Sequence, residues 1–105
     1  MDTPRPVHLV EMDKVRPAVV LTREIVRPRL QKITVAPITS RVRGLSTEVP
    51  VGPANGLDHD SVISCDNVTT VPAAALRRVV GYLLPDQERA LARGLVLAFD
   101  LDARL

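Results

Sequence analysis

Short apolar, β-branched runs, each cut off within a few residues by proline, glycine or charge, constrain this chain more than any other feature. Residues 7–12, 18–22, 33–38, 47–51, 61–64 and 79–83 are all of this kind. Runs of four to six residues match strands and are too short for amphipathic helices. Residues 18–22 are apolar until Thr22 and read as a strand buried on both faces. Pro37 falls near the end of the third run, where a missing N–H is tolerated. Residues 23–31 are basic and polar around Pro28, and residues 52–56 are Gly-Pro-Ala-Asn-Gly; both read as loops.

Two segments break the strand pattern. Pro72 followed by three alanines predicts a short helix over 72–78. Leu91, Leu95, Ala98 and Phe99 form one apolar stripe, which predicts a helix over 85–99. Its first turn carries Asp86 and Glu88, where the helix dipole favours acids. Many short strands with one closing helix predict a mainly β, α+β fold: a small antiparallel barrel-like sheet. At 105 residues it forms one domain, 1–105, small enough that dimerisation would bury useful additional surface.

Composition excludes several classes. Aromatic residues are 2% of the chain, only Tyr82 and Phe99, which argues against a base-stacking platform. Cys65 stands alone, so an internal disulfide and a four-cysteine zinc site are both impossible. No apolar run approaches a membrane span, and the N-terminus lacks an apolar signal region, so a cytoplasmic location away from membranes is expected.

The net charge of +2 hides a strong asymmetry. Residues 14–43 carry eight Lys and Arg against Glu24 alone, whereas residues 44–76 carry four carboxylates and no Lys or Arg. A basic stretch of this kind suits RNA, DNA or an acidic peptide. Two segments in it join an apolar run to groups that act on phosphates. Lys14 and Arg16 enter the second run; Thr39, Ser40, Arg41 and Arg43 leave the third. Strands would hold these groups on a rigid frame. Pro17 biases Arg16 to an extended backbone, and its guanidinium matches a phosphate bidentately.

The succession RPAVVLT, VAPITSRVRG, TEVPV and GLDHDSVISCDNVTTV, ending in an amphipathic helix, resembles the MazF/PemK family of type II toxin–antitoxin toxins. The likeness runs over roughly residues 5–100 and is nearest the mycobacterial and actinobacterial branch. It implies an SH3-like barrel, a homodimer and sequence-specific cleavage of single-stranded RNA without metal or cofactor, giving a 2′,3′-cyclic phosphate. It also implies a MazE-like antitoxin partner. The resemblance places catalysis on Arg16, Thr39 and Asp66, with Asp66 either a base or a turn cap. Lys14, Arg27, Arg29, Ser40, Arg41 and Arg43 are expected to hold RNA. The loop before Arg16-Pro17 is shorter than in the family, and Ser64 and Thr69 stand where some members carry arginine. His8 and His59 are weaker acid–base candidates, and Cys65 reads as core. A gyrase-poisoning toxin of the same fold and a non-catalytic RNA-binding module remain alternatives.

Overall fold

The structure is a computed structural model and describes residues 3–102. Seven strands precede one α-helix: β1 Pro6–Glu11, β2 Val15–Val20, β3 Lys32–Thr39, β4 Glu48–Val51, β5 Ser61–Ser64, β6 Thr69–Pro72, β7 Leu76–Tyr82 and α1 Pro85–Ala98. All pairings are antiparallel, in the order β4-β5-β3-β2-β1-β7, with β6 also on β3.

β3 is the spine of the sheet. One edge pairs with β2; the other pairs with β6 through residues 32–35 and with β5 through Ile38 and Thr39. Pro37 falls in the gap between those two partners, so its missing N–H interrupts neither ladder. The Ala18–Val20 half of β2 is buried on both faces, as the composition of that run predicts, while Val15 at the strand's start is exposed. Val19 joins a core with Val7, Ile38, Val49, Ile63 and Leu91, while Ala18 and Val20 join a second core with Val10, Ile33, Val35 and Val71. Alternation along one strand therefore feeds two cores, each fully buried Val contributing about 1.5–3 kcal/mol.

The sheet is not closed by hydrogen bonds, because β4 and β7 do not pair. Two side-chain amides span the gap instead. Gln87 Nε2 on α1 donates to the Pro50 carbonyl of β4 at 3.2 Å, and Asn55 Nδ2 donates to the Tyr82 carbonyl of β7 at 2.9 Å. The two amides also bond each other. The helix thus completes an open α+β fold where a full barrel would have another ladder.

Four features differ from expectation. The short helix over 72–78 is absent: Ala73–Ala75 make a single 3-10 turn, and β7 begins at Leu76. Three alanines cannot offset the cost of nucleating a helix, and β1 offers a ladder to Leu76–Tyr82. β6, unread in the sequence, pairs its exposed threonines with β3. The 23–31 loop contains a 3-10 turn over Glu24–Arg29. Phe99 lies just past the helix end and is exposed, so the stripe is carried by Leu91, Leu95 and Ala98.

Candidate active site

The β2–β3 register brings the sequence's two phosphate-competent tips together. Ala18 pairs with Pro37 and Val19 with Ala36, which brings the adjoining ends of β2 and β3, carrying Arg16 and Thr39, to the same side of the sheet. Arg16 and Thr39, with Ile38 beneath, form the ridge shared by two open hollows of about 410 and 420 Å³. Lys14, Ser40, Asp58, His59 and Arg78 line the first; Arg41, Arg43, Glu48, Asp66 and Asn67 line the second.

Each ridge group is held and still has capacity for a ligand. Arg16 Nε and Nη2 donate to the two Asp13 carboxylate oxygens, both at 2.8 Å. This fork keeps Arg16 charged, raising its pKa through the Asp13 hydrogen bonds, and holds the Asp13 carboxyl well below the usual range. Nη1 takes no part in it. The Arg41 N–H donates to Thr39 Oγ1 at 3.1 Å, so the hydroxyl proton is free to reach a phosphate oxygen.

The second hollow is organised by a residue the sequence reading passed over. The Glu48 carboxylate accepts the N–H groups of Arg43, Gly44 and Leu45 at 2.8–3.2 Å, fixing the loop that carries Arg41 and Arg43. Desolvation opposes its ionisation, but those N–H groups and the Arg43 charge bring its pKa below the ordinary value. Gly44, at φ +78°, permits the turn. The sequence signal was a glycine in the turn with a carboxylate four residues on. Asp66 lines the same hollow, and its Oδ2 accepts the Thr47 hydroxyl at 2.5 Å.

The structure gathers Lys14, Ser40, Arg41 and Arg43 around Arg16, Thr39 and Asp66. It does not bring Arg27 and Arg29 there. Both sit on the Glu24–Arg29 turn, where Arg27 pairs with Glu24 at 3.9 Å and faces Ile33, Ala73 and Arg5. Arg78 joins the site unannounced, because β7 and not a helix carries it. His8 is buried and its Nδ1–H donates to the Arg77 carbonyl at 2.9 Å, a structural role; His59 stands exposed in the first hollow. Cys65 is buried in the core, its thiol pushed up to about 11 chiefly by burial, and is no nucleophile. Among the described residues no three His, Cys, Asp or Glu side chains cluster as a metal site, and no helix is long and apolar enough to cross a membrane.

A strand-mounted arginine and threonine between two basic hollows have the chemistry to hold a phosphodiester chain. Residues 3–99 match the model of the PemK-like, MazF-like toxins of type II toxin–antitoxin systems, and the chain belongs to that family. It is 58% identical over 98 residues to endoribonuclease MazF3 of Mycobacterium tuberculosis, an alignment covering 93% of this chain and 95% of that protein. The fold is similar to that of the solved Mycobacterium tuberculosis toxin MazF-mt6, with a TM-score of 0.91 and 57% identity over 94% of this chain and all of that one. A mycobacterial endoribonuclease solved with its cognate antitoxin shares the fold at a TM-score of 0.83 and 18% identity, over 98% of this chain and 99% of that one.

Proposed function

We propose that this toxin is a metal-independent endoribonuclease that cuts single-stranded RNA in the cytoplasm, acts as a homodimer and is silenced by a cognate MazE-like antitoxin. The observation that carries the reading is the Arg16–Thr39 ridge between two hollows. RNA cleavage by its own 2′-OH needs that hydroxyl deprotonated, the phosphorane charge stabilised and the 5′-oxygen protonated. Arg16 serves the second need, with Nη1 open toward a non-bridging oxygen. The Thr39 hydroxyl adds a neutral donor beside it. Arginine is a poor proton donor, its pKa being about 12 or higher, so it stabilises charge and does not move protons.

Asp66 is our choice for the acceptor of the 2′-OH proton, a choice supported by its sharing the second hollow with Arg16 and Thr39. The leaving 5′-oxygen takes its proton from water held in the open hollow. Lys14, Ser40, Arg41 and Arg43 position the flanking phosphates; orientation of the 2′-OH in line with the leaving oxygen supplies much of the remaining rate.

Purified protein incubated with mixed RNA in excess EDTA tests the reading. Discrete fragments ending in 2′,3′-cyclic phosphate and 5′-hydroxyl are expected. Intact RNA from folded protein would remove the nuclease, and a supercoiling defect in its place would point to a gyrase poison.

A further inference from the structure

The loop between β4 and β5 is held far more firmly than its exposed tip requires. Asn55, fully buried, accepts the Gly52 N–H on Oδ1 at 3.0 Å and donates from Nδ2 to Tyr82 and Gln87. Gly56 has φ +81°, and a Cβ there would lie 1.9 Å from the Val80 carbonyl oxygen. A Cβ on Gly81 would meet the Asn55 carbonyl oxygen at 2.0 Å. The loop backbone therefore lies directly on β7, in a position only glycines allow.

Two residues beyond this anchor, Asp58 and His59 stand exposed on the wall of the first hollow. Their side chains make no hydrogen bond or ion pair within the described residues; only the His59 carbonyl is engaged, by Ser61. Of the other carboxylates lining the two hollows, Glu48 is committed to three backbone N–H groups, and Asp66 has one oxygen on Thr47 and the other for the 2′-OH. Among the described residues lining the hollows, Asp58 is the one carboxylate with both oxygens open to a ligand. A rigid loop that presents polar groups the fold does not use, beside a cleavage ridge, is a reading device.

We propose that Asp58 and His59 read the base next to the scissile phosphate, Asp58 by its edge and His59 by stacking on its face. The assignment rests on the nuclease reading above. A carboxylate only accepts hydrogen bonds, so it pairs with the amino groups of cytosine, adenine or guanine and is poorly matched by uracil, whose single N3–H donor lies between two repelling carbonyl oxygens. Imidazole is one of the side chains on which unstacked RNA bases lie. Lys14 and Arg78 on the same hollow offset the repulsion between Asp58 and the RNA backbone.

The test is to digest an RNA library with a randomised window in EDTA, using wild type, Asp58→Asn and His59→Ala, and to sequence the ends. Wild type is expected to disfavour uracil by about tenfold or more at one position adjoining the cut. Asp58→Asn, equal in size and able to donate, should admit uracil there and leave other positions unchanged. His59→Ala should raise KM with kcat nearly kept. Melting curves accompany both, and no shift is expected for exposed, unpartnered side chains. Asp58→Asn cutting with the wild-type preference, or a wild type without preference at that position, would overturn the assignment. A wild type that cuts no RNA would overturn the nuclease reading and this one with it.

Discussion

Asp66 is the residue whose role one substitution separates. Its Oδ2 holds the Thr47 hydroxyl while the carboxylate borders the ridge, so cap and base are both consistent with its place. Asp66→Asn keeps an oxygen for Thr47 and removes the base. We expect kcat to fall by about 10²-fold, with the acidic limb of the pH–rate profile lost and the melting temperature unchanged. An unchanged rate with a lower melting temperature would make Asp66 a cap. At this scale the sequence was readable where chemistry follows local context: Arg16 before a proline and a β-branched run, Thr39 at the end of another. Arg78 and the setting of His59 were not, because both depend on which strand passes beside them, and nothing within ten residues specifies that.

Among the elements, α1 does more than cover a core. Arg5, just before β1, donates Nε and Nη2 to the Glu88 carboxylate, both at 2.8 Å, and Nη1 to the Val20 carbonyl of β2 at 2.6 Å. The hydrogen bonds from Arg5, and secondarily its charge, outweigh burial and hold the Glu88 pKa below its ordinary value. Because the folded value lies below the unfolded one, the pair stabilises at and above the ordinary carboxylate range, and that contribution disappears as pH falls through the folded value. Glu88→Gln should cost about 1 kcal/mol or less at pH 7, since both side chains are part-exposed, and almost nothing near pH 2. Paired denaturation curves at the two pH values check this.

Asn55→Ala should be worse, at about 2 kcal/mol in chemical denaturation, because it strands the Gly52 N–H and the Tyr82 carbonyl. The same elements show where sequence reading stops. β2 and α1 carry their own pattern, and residues 79–83 read as a strand, whereas Leu76–Arg78 joins that strand only because β1 is there to pair with it. The alanines of 73–75 favoured the wrong local structure, and the long-range ladder prevailed. The amide bridge that replaces a barrel seam had no local signature at all.

On the scale of the whole molecule, folding divides the basic stretch of residues 14–43. Lys14, Arg16, Arg41 and Arg43 converge on the ridge, while Arg27 and Arg29 face elsewhere. Arg41→Ala with Arg43→Ala should therefore reduce the salt dependence of binding to a non-cleavable RNA by about two counterions, and Arg27→Ala with Arg29→Ala by less. Equal losses from the two pairs would mean that RNA reaches the Glu24–Arg29 turn. The central claim is that the ends of β2 and β3, where Arg16 and Thr39 border both hollows, make the cutting site. Its most direct test is the single-turnover cleavage rate of Arg16→Ala in EDTA beside its melting curve. We predict a loss of at least about 10²-fold at a melting temperature close to wild type, because Arg16 lies at the rim, outside both cores. Near-wild-type cleavage by the folded variant would contradict the account.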